Sequence, residues 1–154
     1  TRHGVIIGGK FVSVFVTVLA QAVVLLVAGR LIFGIQWGRI DAVILLTLVA
    51  AGVAGGLALL VIAFTRTPAQ AGAIGAGVYL VLALLGGNFT GTAQTGGIYG
   101  LVQKLTPNGW LLQGWDLTMR GGGAGDIRWQ ILAPLGFAVA FFLLSVLRIR
   151  RRFA

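Results

Sequence analysis

Residues 42–64 read AVILLTLVAAGVAGGLALLVIAF, without one charged side chain. At about 1.5 Å per residue, a helix of that length crosses the roughly 30 Å hydrocarbon core of a bilayer. Such a segment restricts the fold severely. Inside lipid every backbone polar group needs a partner within the protein, and a helix supplies those partners from its own chain. Three further stretches approach the same length. Residues 11–33 are broken only by Gln21 and by Arg30 near the end, and Arg30 can snorkel to the headgroups. Residues 69–85 are shorter and rich in small side chains, and residues 129–147 contain Pro134. A proline kinks a membrane helix without breaking it where neighbours satisfy the freed carbonyl. The expected fold is an all-α integral membrane protein, a single transmembrane domain over 1–154. Its four transmembrane helices fall at about 11–33, 42–64, 69–85 and 129–147.

Composition agrees. Hydrophobic residues make up 58% of the chain and charged ones 10%, against roughly 25% charged in ordinary soluble domains. Mean hydropathy is +0.99. So small a soluble protein has no interior large enough for that apolar surface, so the bilayer is the expected solvent and partner. Twelve basic residues face only Asp41, Asp116 and Asp126, for a net charge of +9. In a soluble domain that excess points to nucleic acid. Here many of the arginines stand at the ends of apolar segments, where anionic headgroups and membrane orientation account for them, so no nucleic-acid partner is expected. The absence of cysteine excludes disulfides, thiolate metal sites and thiol nucleophiles. The chain opens at Thr1 with no signal-peptide pattern, and further sequence upstream is expected.

Four spans put both termini on one side. Arg2, Lys10, Arg66, Arg148, Arg150, Arg151 and Arg152 lie there, and Arg30, Arg39, Lys104, Arg120 and Arg128 on the other. Four of the first group cluster directly after a span, where positive charge governs orientation most strongly, so the termini are expected in the cytoplasm. Small residues recur at four-residue spacing (Gly4 and Gly8, Gly52 and Gly56, Ala71 and Gly75, Ala73 and Gly77), as in helices that pack closely in lipid.

No catalytic group of residues emerges. GVIIGGKF, residues 4–11, nearly matches a phosphate-binding loop, but Phe11 stands where a magnesium-binding hydroxyl is required, and a membrane helix follows. A glycine-rich helix start with an interfacial lysine fits better. His3 is the single histidine and has no carboxylate neighbour for a metal site or a general base. The three aspartates fall in expected loops or helix starts, where capping and solvation explain them. None lies mid-span, so the acidic relay of many ion-driven pumps is missing. Asn88-Phe89-Thr90 matches a glycosylation acceptor, a tripeptide common by chance and set against a membrane end.

The region between the third and fourth spans is different. LLGGNF closes the third span with a helix-terminating glycine pair. In the following GIYGLVQKLTPNGWLLQGWDLTMRG, Ile98, Leu101, Val102 and Leu105 keep helical spacing. Trp110, Leu111, Gly114, Trp115 and Leu117 do the same. Between them, Thr106 precedes a proline and disfavours helix, while Pro107 or Asn108 can begin one. Two short amphipathic helices hinged at Pro107 are expected, lying at the membrane surface or dipping into it. The residues alone equally allow a plain aromatic belt. The tail RGGGAGD, residues 120–126, reads as a flexible turn.

With these landmarks in order, the chain resembles the C-terminal part of an ABC-2 family permease. They are GGK at 8–10, AGRLIFG at 28–34, TRTPAQA at 65–71, LLGGNF at 84–89, LTPNGWLLQGW at 105–115, a glycine-rich turn, and a last span ending in arginines. The resemblance covers essentially the whole chain. It implies that these are the last four of six usual spans, with two more upstream of Thr1. It also implies an ABC ATPase partner carrying ATP and Mg, engaged through a cytoplasmic segment whose tail includes Arg2 and Lys10. A second permease copy or paralogue and a prokaryotic cell membrane follow in the same way. No catalytic residue, cofactor or metal is expected on this chain. The loop after the fifth family span carries short re-entrant helices that close the outer side of the pathway, a place taken here by Asn88, Phe89, Pro107, Asn108 and Trp110. Many relatives have a proline near the start of that loop, and this chain has none before Pro107.

The expected function is therefore the membrane-spanning half of an ATP-driven exporter. Without buried charge, its apolar lumen suits amphipathic drugs, lipids or glycan-lipids better than ions. A non-transporting scaffold subunit is the alternative. An ion-coupled transporter ranks third, since only Gln21 and a few hydroxyls supply intramembrane polarity.

Overall fold

A computed structural model describes residues 2–90 and 96–152, with side chains at 8–90 and 96–149. The chain forms α1 (Arg2–Phe33), α2 (Ile40–Phe64), α3 (Pro68–Gly86), α4 (Gly97–Lys104), α5 (Pro107–Met119) and α6 (Arg128–Arg152). No strand occurs among the described residues. The stretches long and apolar enough to cross a membrane are Gly8–Phe33, Ile40–Phe64, Pro68–Gly86 and Arg128–Ile149, one for each expected span.

The caps follow from local chemistry. Thr67 Oγ1 accepts from the Gln70 N–H at 3.2 Å, and Pro68 takes the first helical position of α3, where no N–H is required. At its other end Gly87 adopts the left-handed conformation (φ 90°), so that Asn88 N–H reaches the Ala83 carbonyl and Gly87 N–H that of Leu84. That double bond, a Schellman motif, is what the glycine pair foretold. α6 continues past the buried Pro134 without a break.

Helix α2 is the hub. It carries most of the buried apolar side chains, among them Leu46, Val53, Leu57 and Leu59. Its closest partner is α6, against which Gly52 and Gly56 let the backbones approach: a Cβ on Gly56 would come within 2.9 Å of the Ala138 carbonyl oxygen. α1 packs on α2 at the same level, where Phe11 lies 3.0 Å from the space a Gly55 Cβ would fill and meets the Phe142 ring of α6 edge-on at 5.5 Å. Three buried helical hydroxyls are satisfied within their own helices. Thr47 donates to the Val43 carbonyl, Thr118 to Gly114 and Ser145 to Phe141, so none asks lipid for a hydrogen bond.

Two expectations need correction. Asp116 does not lie in a loop or at a helix start; it sits inside α5 and pairs with Arg120 at 3.0 Å, one turn on. Residues 120–126 form an ordered turn, because Gly123 N–H is held by Asp126 Oδ2 and Ala124 N–H by Asp41 Oδ2.

Candidate functional site

Helices α4 and α5 form a hairpin whose turn is self-sufficient in hydrogen bonds. The Gln103 carbonyl accepts from both the N–H and the hydroxyl of Thr106, at 3.1 and 2.9 Å. Thr106 Oγ1 in turn accepts from Gly109 N–H at 3.2 Å, capping α5, and Pro107 occupies the first helical position. Trp110 Nε1 donates 2.8 Å to the Lys104 carbonyl, tying the second arm back to the first. Gly109 lies so close to the Gln103 carbonyl group that a Cβ there would overlap its oxygen and sit 2.7 Å from its carbon.

The hairpin is seated on α3. A Cβ on Gly86 would fall 2.5 Å from that of Asn108, and Tyr99 donates its hydroxyl to the Leu84 carbonyl at 3.1 Å. From there α5 runs antiparallel to α2. Leu111 packs against two clusters, one of Ala42, Leu46 and Ile127 and one of Val49, Val53 and Ala138; Gly114 meets Leu46; and Thr118 meets Gly38. Val49 and Val53 lie nine and thirteen residues inward from Ile40, about 14 and 20 Å along the helix. α5 therefore runs from its seat on Gly86 along the N-terminal half of α2 towards Gly38.

The loop between α1 and α2 locks the top. Trp37 meets Trp115 edge-on at 5.8 Å, and Gly38 (φ 87°) abuts the Thr118 carbonyl. Arg39 forks onto Asp41 with both contacts at 3.2 Å, and Asp41 Oδ2 also accepts from Ala124 N–H at 3.3 Å. The hydrogen bond to Asp41, followed by its charge, raises the Arg39 guanidinium above its ordinary value. Asp41 thereby ties the start of α2 to the 120–126 turn. Asp41→Ala is expected to increase protease cleavage within 120–126 severalfold, read by limited proteolysis. The substitution removes the carboxylate that accepts from Ala124 N–H, so the turn opens locally more often.

The proposed gate residues divide in two. Pro107 is buried and Asn108 and Trp110 partly buried, so they build the hairpin and its seat. Asn88 and Phe89, on the turn after α3, are exposed, Phe89 at 70%. On α4, Ile98, Leu101 and Leu105 make an exposed apolar row at helical spacing. At the opposite end of the bundle Lys10 helps to line a cavity of about 430 Å³ with Thr65, Arg66 and Thr67. The side chain of Arg2 lies outside the described residues. Sequence reasoning passed over Gln103, which is 2% exposed and whose Nε2 has no hydrogen-bond partner among the described residues. Only its place opposite the apolar row of α4 hinted at burial. No group of three or more metal-ligating side chains occurs among the described residues.

This geometry defines a class: a multi-pass helical membrane protein with a two-helix hairpin set between its last two spans. The model of the ABC-2 type transporter family matches residues 1–116, three quarters of the chain, and the chain belongs to that family. It is thus a membrane component of an ABC transporter, a transport part and not itself catalytic; permeases of the family generally work with an ABC ATPase subunit. No curated protein and no solved structure matches the chain.

Proposed function

We propose that this chain forms part of an ATP-driven exporter that moves an amphipathic drug, lipid or glycan-lipid outward, with Mg and ATP bound, and the ATP hydrolysed, by a separate subunit. The observation that carries this reading is the hairpin of α4 and α5. It brings an exposed apolar row (Ile98, Leu101, Leu105) and Phe89 to the end of the bundle opposite Lys10. Such a surface suits a greasy solute leaving between two permease halves, and a second copy or paralogue supplies the other half. α3 supports the same arrangement, since most of its length is left uncovered by the rest of the chain. In this reading Asn88 and Phe89 face the exit, and Pro107, Asn108 and Trp110 set the hairpin that closes it. Lys10 and Arg2 lie on the side where the ATPase engages, with both termini in the cytoplasm of a prokaryotic cell. The chain corresponds to the last four of six spans.

The test is purification of the intact permease with its candidate ATPase. Stable co-purification is expected, with ATP hydrolysis stimulated by lipid-like substrates. An intact permease that binds no nucleotide-binding subunit, or that transports on an ion gradient alone, would defeat the proposal.

A further inference from the structure

On the hairpin side of the bundle α1 and α2 part, leaving a groove of about 470 Å³ between them. Trp37 lies at this parting. Its indole folds back from the loop onto Gly29, where a Cβ would stand 2.6 Å from the ring, and its Nε1 donates 2.8 Å to the Leu26 carbonyl. The walls are hydrocarbon: Val23 and Val27 from α1, Ile44 and Leu48 from α2, each roughly half exposed. The groove is long, since Leu19 and Arg30 of its α1 wall are separated by about 16 Å of helix. Arg30 is the single charge on its lining and stands in the last turn of α1, at the membrane interface. Among the described residues its guanidinium enters no ion pair or hydrogen bond.

We propose that this groove binds one anionic phospholipid, an acyl chain lying along Val23, Val27, Ile44 and Leu48 and the phosphate on Arg30. Each part of the occupant answers a part of the site. A soluble anion would leave the hydrocarbon walls unfilled, and a neutral tail would leave the guanidinium without a counter-charge. Guanidinium matches phosphate with two parallel hydrogen bonds, which an ammonium does not. A zwitterionic lipid brings its own cation to the same phosphate, so a net negative headgroup is favoured. Trp37 sits at the level of the glycerol and headgroup region, where indoles partition. The proposal does not rest on the transport reading, and no residue of α4 or α5 lines the groove.

The test uses the intact permease in nanodiscs of phosphatidylcholine doped with phosphatidylglycerol carrying a photoactivatable diazirine on its acyl chain. Labelled positions are read by peptide mass spectrometry. Labelling is expected to concentrate on residues 19–27 and 44–48, and to fall about fivefold when phosphatidylcholine carries the diazirine. Arg30→Gln should bring the phosphatidylglycerol signal down to that level, and Arg30→Lys, which keeps the charge but loses the paired hydrogen bonds, should fall between the two. Val27→Trp, which fills the groove and leaves the cation in place, should abolish it. Unchanged labelling of Leu80 and Val81, on exposed α3, shows that each variant is still inserted. Equal labelling by the two lipids, labelling spread evenly around α1, or wild-type labelling of Arg30→Gln overturns the proposal. So does the absence of groove labelling by either lipid, which means that a protein segment fills it. The lipid comparison on the wild-type protein decides the matter even if a variant fails to fold.

Discussion

Replacing Gly109 by alanine is expected to reduce transport by the intact transporter at least tenfold while leaving the permease inserted. The added methyl would overlap the Gln103 carbonyl oxygen and lie 2.7 and 3.1 Å from its carbon and Cα. All three are backbone atoms, with no flexible side-chain end to swing aside, so one arm of the hairpin has to move. Overpacking of this kind costs roughly 1–3 kcal/mol, and about 1.4 kcal/mol already corresponds to tenfold. The displacement falls on the bond from Gly109 N–H to Thr106 Oγ1, which caps α5, and on the seat at Gly86. Gly136→Ala is the control. That glycine lies inside α6 with nothing within 4 Å of a Cβ, so the change should be neutral or slightly stabilising. Because the chain contains no cysteine, a single Leu105→Cys reporter at the exposed hairpin tip adds a direct readout. Its reaction rate with a membrane-impermeant maleimide should change in the Gly109→Ala background and stay the same with Gly136→Ala. Full transport by Gly109→Ala would show that hairpin closure has no part in moving substrate.

How much of this was legible beforehand depends on the range of the interaction concerned. The spans were readable because length and lack of charge are sufficient conditions in lipid, as residues 42–64 show. Their ends were less so. α1 begins at Arg2 and α6 continues to Arg152, beyond the apolar residues, because a helix needs only its own backbone bonds to propagate and arginine is a good helix former. The same extension disposes of the phosphate-loop resemblance, since the described part of residues 4–11 is continuous helix. The hairpin turn was readable because the Thr106 cap and Pro107 act within four residues. Its docking was not, since nothing local shows that Leu111 packs against the cluster of Val49, Val53 and Ala138. Asp41 explains the error at 120–126. Three glycines suggest flexibility, but the acceptor that orders Ala124 lies 83 residues earlier in the chain. Gln103 escaped for a similar reason, because its burial depends on where the whole hairpin docks.

Gly38→Ala is expected to have the second large effect, and it tests whether the loop before α2 holds the upper end of the hairpin. Two penalties coincide at this position. The backbone is at φ 87°, a conformation that costs a residue with a Cβ about 1–3 kcal/mol. A Cβ would also overlap the Thr118 carbonyl oxygen and fall 2.7 Å from its carbon, at the end of α5. Truncating the Thr118 side chain would not relieve this, because the obstacle is backbone. Gly121→Ala separates the two penalties: it has φ 98° but nothing within 4 Å of a Cβ, so it carries the conformational term alone. Gly121→Ala should lower stability by about 1–3 kcal/mol, and Gly38→Ala by a further 1–3 kcal/mol. Equilibrium unfolding in mixed micelles, followed by tryptophan emission, measures both. Trp37 stacks edge-on against Trp115 one residue from the substitution, so Gly38→Ala should also change native-state fluorescence, which Gly121→Ala should leave alone. Equal losses in the two variants, with unchanged emission in both, would mean that α5 is not anchored to this loop. The upper end of the hairpin would then be free to move independently of α2.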